Sequence, residues 1–219
     1  LSYLLWASMP DEVLLAAASA GELATPAQLE VQARRMLADA KASDAVLSFH
    51  RQWLDLDAVL QANKDAATFP TWNDDLRTSL REEADAMIED VLFGGGDGRL
   101  SSLLTTTTTR VDAPVAALYG MPAPAADWDL VQLPGEQRSG ILTQGAFLAS
   151  RAHAINGSPV LRGVFVLDRL LCEKPPPPDV GIDTTPPSET DEQLPTTNRE
   201  RYAQHTFDTN CQSCHAGID

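Results

Sequence analysis

Three residues near the end of the chain have types and a spacing that suit one kind of chemistry: Cys211, Cys214 and His215. Two thiols three residues apart lie along one edge of a helical turn, so they can add to the two vinyl groups of one haem. The histidine that follows is then placed to offer an imidazole nitrogen to the haem iron. The C-x-x-C-H pattern therefore predicts covalently attached haem c, with His215 as the proximal iron ligand.

A second axial ligand to the iron is harder to assign. His205 lies ten residues before His215, which is about 15 Å along a continuous helix. Both imidazoles can bind one iron only if the chain folds back between them, so we keep His205 as a candidate ligand but favour a structural or solvated role for it. We expect His50 and His153 to be structural as well. The sixth ligand could also lie beyond Asp219.

The same cysteines allow other interpretations. Cys172, Cys211 and Cys214 with either His205 or His215 could supply the four ligands of a zinc site. We expect Cys172, which follows an apolar helix, to be a free and buried thiol. In an oxidising compartment it could instead pair with Cys211 or Cys214 where haem is not attached. A recombinant fragment could therefore contain no haem.

The elements that must position the motif are predicted to be helices, and the fold class to be all-α. Thr25 to Gln28 resembles a capping box, and Asn73 is placed to cap the longest helix. The apolar residues of that helix recur at intervals of three and four: Leu76, Leu80, Ala84, Met87, Ile88 and Val91. We expect its charged residues to face solvent: Arg81, Glu82, Glu83, Asp85, Glu89 and Asp90.

Two modules are predicted. Residues 1–125 read as a helical, bundle-like scaffold, and residues 135–219 as a smaller helical module that is cut at its C-terminus. The boundary falls inside the proline-bearing connection 122–134. The threonine run 105–109 fits either a short strand or a capped loop.

The second module has helical patterns over 141–152 and 159–171. Residues 173–195 are rich in proline and polar residues and show no periodicity, so they are expected to be extended and irregular. Thr196 or Thr197 is placed to cap a final helix that runs through Tyr202 and leads into Cys211.

Composition limits the partners. The chain has 31 acidic and 16 basic residues and a formal net charge of −15, so we expect no nucleic-acid partner and no binding to anionic membranes. No apolar run reaches the length of about 18 residues that a membrane-spanning helix needs. Because the chain starts at Leu1 and ends four residues after the motif, we expect a fragment of a longer polypeptide.

An ordered set of motifs resembles the cytochrome-c-like module of the planctomycete-type cytochrome proteins, which are large exported proteins also found in myxobacteria. The residues that carry this resemblance are 141–149, 158–163, 170–172, Pro175 to Pro178, and 211–215. Upstream segments resemble the helical module of unknown function that precedes it in that family: 49–54, 99–104 and 118–120. The resemblance implies export to the periplasm, cell surface or medium, haem c, and electron transfer. It supplies no catalytic residues.

Three functions follow as hypotheses. The leading one is a c-type haem-binding electron-transfer module whose partners are an unknown redox protein and the remainder of its own polypeptide. The second is a helical binding module with a zinc- or disulfide-stapled tail, which exposed Trp72 and Trp128 side chains would suit. The third is a haem-dependent oxidase or peroxidase, whose candidate distal groups are Arg162, Arg199 and Arg201. Whether the chain is an enzyme therefore stays open.

Overall fold

The computed structural model describes residues 1–175 together with 197, 200, 202, 203, 212 and 215–218. In this part of the chain the fold is mostly helical, as predicted, but it also contains one two-stranded sheet that an all-α class leaves out. Among the described residues, no helix is both long enough and apolar enough to cross a membrane. Several predicted features lie outside the described residues: Cys211, Cys214, His205, Arg199, Arg201 and residues 176–195.

The first three helices, α1 (Ser2–Leu5), α2 (Glu12–Ser19) and α3 (Pro26–Leu37), gather around a small core of their own. In that core the Trp6 indole donates to the carbonyl of Met36 at 2.8 Å. The predicted capping box of α3 is confirmed, with the Thr25 and Gln28 side chains each bonded to the other residue's backbone amide. These caps satisfy amides that a helix start leaves unpaired.

The longest helix, α5 (Asp74–Leu92), is the centre of the structure. It follows α4 (Lys41–Leu54) and a short 3-10 segment, Leu56–Gln61. Asn73 caps it as predicted, since its side-chain oxygen accepts from the amide of Leu76 at 2.8 Å. All six apolar positions predicted for its inner face are buried, and α4, the 3-10 segment, the sheet and later helices pack around it.

Part of the threonine run 105–109 belongs to a strand. After α6 (Leu100–Thr105), β1 (Thr108–Val111) pairs antiparallel with β2 (Asp129–Gln132), with Thr109 opposite Val131. Between them lies α7 (Ala113–Leu118), which Asp112 caps. Consecutive β-branched residues favour a strand once a partner is present. β2 lies inside the connection predicted as a module boundary.

The second half is helical but broken. A 3-10 turn at Ile141–Thr143 precedes α8 (Gly145–Ser150), and α9 (Pro159–Phe165) continues as a π-helical turn at Val166–Leu170. The side chains of Ile141, Ala146 and Phe147 enter the same hydrophobic core as α5. Residues on both sides of the predicted boundary therefore share one core, and the division into modules 1–125 and 135–219 stays a prediction.

We expect Leu80→Ala to lower the free energy of unfolding by about 2–5 kcal/mol, because it leaves a cavity at a fully buried position of α5. Val31→Ala, at a position on α3 that is 65% exposed, should change it by no more than about 0.5 kcal/mol. Urea unfolding of both variants measures the two values. Equal losses in the two variants would contradict the central position of α5.

Candidate functional site

His215 belongs to the described residues and lies on a helical turn. The amide of Ala216 donates to the carbonyl of Gln212 at 3.1 Å, and the amide of Ile218 donates to the carbonyl of His215 at 3.0 Å. The first bond has the four-residue spacing of an α-helix and the second has the three-residue spacing of a tighter final turn. The His215 side chain is half-buried, so this turn has one side against protein.

The turn that carries His215 packs against helix α9 at Gly163. A Cβ atom added to Gly163 would overlap the carbonyl oxygen of Ile218, and would lie 2.7 Å from its carbonyl carbon. The obstructing atoms belong to the backbone and cannot swing aside, so only glycine permits this approach. Ser158 and Pro159 fix the start of α9, with the Ser158 hydroxyl accepting from the amide of Leu161 at 3.2 Å.

A second anchor lies before the motif. The Thr197 hydroxyl accepts from the amide of Glu200 at 3.2 Å, while the Glu200 carboxylate accepts from the amide of Thr197 at 3.1 Å. This reciprocal pair is a capping box. Of the two predicted candidates, Thr196 and Thr197, it is therefore Thr197 that acts as the cap. Tyr202 is only 4% exposed, and its hydroxyl lies 3.5 Å from the carbonyl of Gly157. Residues on both sides of the motif therefore contact α9 or the loop before it.

The rest of the protein holds α9 in place through aromatic contacts. Phe165 packs edge-on against Phe147 of α8 at a centroid distance of 5.0 Å, and the Arg151 guanidinium lies 4.6 Å from the centre of the Phe165 ring. At the far end of the π-helical turn, the Trp53 indole donates to the carbonyl of Arg169 at 2.9 Å. The turn that carries His215 therefore packs on α9, which contacts from α8 and α4 hold in place.

Other predicted residues have varied surroundings. His50 is buried and its Nδ1 lies 2.8 Å from the carbonyl of Val46, in agreement with a structural role, whereas His153 is exposed. Arg162 donates to the Ser158 carbonyl at 3.2 Å. The expectation of a buried Cys172 is wrong: this free thiol is exposed, because the backbone leaves the π-helical turn there with a left-handed φ of 57°.

Glu83 is a polar residue whose placement the sequence interpretation missed. It was expected to face solvent, yet it is fully buried on the inner face of α5. Thr109 donates to one carboxyl oxygen at 3.0 Å and Tyr119 to the other at 2.8 Å. A signal was present: Glu83 lies three residues after Leu80 and four before Met87, which is the spacing of the buried stripe.

Both hydroxyls also accept hydrogen bonds from the start of α8. The Gln144 side-chain amide donates to the Thr109 hydroxyl at 3.0 Å, and the Gly145 backbone amide donates to the Tyr119 hydroxyl at 2.8 Å. We call these five residues, Glu83, Thr109, Tyr119, Gln144 and Gly145, the Glu83 cluster.

Burial dominates the electrostatics of the Glu83 cluster. Removal from water raises the pKa of Glu83 to about 7, although the hydrogen bonds from Tyr119 and Thr109 and the charge of Arg138 act to lower it. Burial, together with the nearby Glu83 carboxylate, also raises the pKa of Tyr119. Glu83 is therefore a buried acid that titrates close to neutral pH.

A polar groove runs along the first turns of α5. Two adjoining cavities of about 530 and 490 Å³ share Asn63, Asp74 and Arg77 as walls. Trp72, which is half-buried, lines the larger cavity with Lys64 and Asp75. The charged side chains of the groove are two carboxylates and two cations, so their formal charges cancel.

Family comparisons cover most of the chain. Residues 1–121 match the model of PSD4, described as "Protein of unknown function (DUF1592)", and residues 138–219 match that of PSCyt3, described as "Protein of unknown function (DUF1588)". By name, these are domains associated with planctomycete cytochromes c. No curated protein and no solved structure gives a significant match. The first match covers more than half of the chain, which therefore belongs to the DUF1592 family.

We expect Gly163→Ala to displace the turn that carries His215, because the added methyl group collides with the backbone of Ile218. Such overpacking typically costs about 1–3 kcal/mol. Gly217→Ala is the matched control, since a Cβ there meets no atom within 4 Å. The amide NMR shifts of Gln212 and His215, which are not adjacent to either substituted residue, should move in the first variant and stay near the wild-type values in the second. Unmoved shifts in Gly163→Ala would refute this contact.

Proposed function

We propose that this member of the DUF1592 family is a c-type haem-binding, electron-transfer module of a larger exported protein. The observation that carries the proposal is the Cys211, Cys214, His215 motif, whose histidine lies on a helical turn seated against α9. Two thiols for covalent attachment and one imidazole for the iron form the donor set of a haem c site. Haem c, when bound, supplies a one-electron couple at its iron.

The protein's own residues would position the imidazole of His215. Gly163 allows the following turn to approach α9 closely, and Tyr202 fixes the preceding segment beside Gly157. Partial burial of the His215 side chain limits the access of water from one side. Burial and ligand orientation are among the factors that set the potential of a haem iron, so these contacts are the means by which the scaffold would tune it.

The proposed redox partner carries a basic docking surface. A formal net charge of −15 on 219 residues speeds the approach of a positively charged protein at low ionic strength. Salt screens this attraction, with a Debye length of about 8 Å under physiological conditions. We propose an extracytoplasmic location because the motifs resemble those of exported proteins.

Haem attachment can be tested with the whole 219-residue chain co-expressed with haem-attachment machinery. We expect a Soret band and a sharp reduced α band that both survive denaturation. Cys211→Ala/Cys214→Ala should lose the covalent haem, and His215→Ala should keep it with an altered spectrum, because only the proximal ligand is removed. Cys172→Ala serves as the control and should match the wild type.

A sample with no covalent haem would overturn the proposal, as would haem that remains attached in the double-cysteine variant. Metal analysis of the haem-free protein then tests the zinc alternative. Turnover of peroxide by the haem-loaded protein would assign it to the oxidase or peroxidase class instead of the carrier class.

A second candidate function, ligand binding by the helical scaffold, is supported by the groove at Trp72. Its walls combine amides, carboxylates and cations with one aromatic ring, and their formal charges cancel. The side chains of Asn63 and Asp75 form no hydrogen bond within the described part of the chain. Hydroxyl groups both donate and accept, so this mixture suits a neutral polyhydroxyl ligand.

We expect neutral, water-soluble oligosaccharides to change the tryptophan fluorescence saturably if the groove binds such ligands. Trp72→Ala should abolish the saturable change, because it removes the apolar wall on which a sugar ring can lie. Trp128→Phe, which alters a half-buried tryptophan that does not line these cavities, should preserve it. A linear fluorescence change in the wild type, or saturation that persists in Trp72→Ala, would count against the groove as a binding site.

A further inference from the structure

We propose that the Glu83 cluster is a proton-operated latch that fastens residues 144–145, at the start of α8, to helix α5. The latch is tight while the Glu83 carboxyl is neutral, and it loosens when that carboxyl ionises. It joins a residue of the segment matched by DUF1592 to residues of the segment matched by DUF1588. The proposal does not depend on haem attachment.

The geometry has two parallel chains of hydrogen bonds that end on one carboxyl group. In one, Gln144 donates to Thr109, which donates to Glu83; in the other, Gly145 donates to Tyr119, which donates to Glu83. A hydroxyl has one proton to donate. Because each of these two hydroxyls gives that proton to Glu83, both contacts from the start of α8 depend on the state of a single carboxyl group.

The ionised state is poorly compensated. Glu83 is fully buried, and Arg138, the cation whose charge acts on it, gives it no hydrogen bond. The Arg138 guanidinium lies 4.0 Å from the centre of the Tyr119 ring and donates to the carbonyl of Thr143 at 2.8 Å. A buried charge without a direct ion-pair partner is costly.

The neutral state has an unused acceptor nearby. Gln144 Oε1 is the one buried side-chain polar atom without a hydrogen-bond partner in the part of the chain that the structure describes. Gln144 is joined to the Glu83 carboxyl through the Thr109 hydroxyl, to which its side-chain amide donates at 3.0 Å. Burial makes an unpaired acceptor unfavourable, so a proton donor that reached Gln144 Oε1 would stabilise the closed state.

The other charged groups around α5 are occupied elsewhere. Tyr119 and Arg138 are the titratable or charged residues that face Glu83. Charged residues from α4, the 3-10 segment and β1 pair with other residues of α5: Arg51 with Asp85, Asp57 with Arg81, and Arg110 with Asp90. Helices α6, α7 and α8 contain no charged residue. Protonation of Glu83 is therefore the local change that a shift in pH near neutrality produces.

The direction of the pH dependence follows from linkage. The ordinary pKa of a glutamate, 4.5, rises to about 7 in the folded protein. At pH values between these two pKa values, Glu83 keeps its proton in the closed state but releases it when it is open and hydrated. The closed state therefore becomes less stable as pH rises. The loss begins near pH 4.5 and levels off above pH 7. A rise of the pKa from 4.5 to about 7 corresponds to a change in the opening constant on the order of a hundredfold.

Hydrogen exchange of the Gly145 amide in the intact chain tests the latch. After correction for intrinsic exchange, we expect its protection factor to fall by roughly ten- to a hundredfold between pH 5 and pH 8.5. Glu83→Gln carries a neutral isostere and should show constant protection over this range. Glu82→Gln, which changes the exposed neighbour on α5, should behave like the wild type.

Two results would overturn the latch: constant Gly145 protection in the wild type, or a pH dependence in Glu83→Gln equal to that of the wild type. If Glu83→Gln does not fold, the carboxyl carbon of Glu83 in the wild type can be followed by NMR. A midpoint near 7, with the Gln144 side-chain amide shifting at the same pH, supports the latch. A midpoint near 4.5, or a Gln144 amide that does not respond, refutes it.

Discussion

The burial of one face of helix α5 is the constraint on which the rest of the structure depends. Strand β1, helices α7 and α8, and the 3-10 segment all pack around this helix, and each covers part of the same stripe of side chains. A carboxyl group lies within that stripe. The surrounding elements must therefore bring hydroxyl and amide groups as well as apolar side chains, since a buried acid without partners would destabilise the fold.

That requirement explains why residues far apart in the sequence meet at α5. Thr109 reaches the helix from the sheet, and Tyr119 reaches it from the end of α7, so the small sheet and the short helix have a role beyond covering apolar surface. The start of α8 then bonds to both hydroxyls. The helix against which the turn of His215 packs, α9, contacts α8 through Phe165 and Phe147. The candidate site is thus linked to the core by direct side-chain contacts.

Local signals made much of this fold predictable from sequence. Caps at Thr25, Asn73 and Asp112 act within three residues of their partners, so the sequence alone contains both halves of each interaction. The sheet was not predictable in this way, because β1 forms only when β2, some twenty residues later, supplies the opposite edge. The burial of Glu83 departs from the prediction because a charged residue type favours solvent, whereas its position on α5 falls within the buried stripe.

The candidate functional site was likewise only partly predictable from the sequence. The motif Cys211, Cys214 and His215 is visible as a pattern in the sequence, whereas the packing of the turn at residues 215–218 depends on Gly163, which has no side chain to suggest a role. The closeness of Gly163 to Ile218 is a long-range contact that only a folded chain reveals. Cys172 illustrates the opposite error, since its apolar neighbours suggested burial while the backbone turns it outward.

The exposure of Cys172 would allow the proposed haem attachment to be counted by thiol chemistry. The chain has three cysteines, and thioether bonds to a haem would consume two of them. A thiol-specific reagent applied to denatured protein would then find one reactive sulfur per matured chain and three per reduced, immature chain. Because Cys172 is accessible without unfolding, it would take one label per molecule in a chain whose other two thiols are bound to haem.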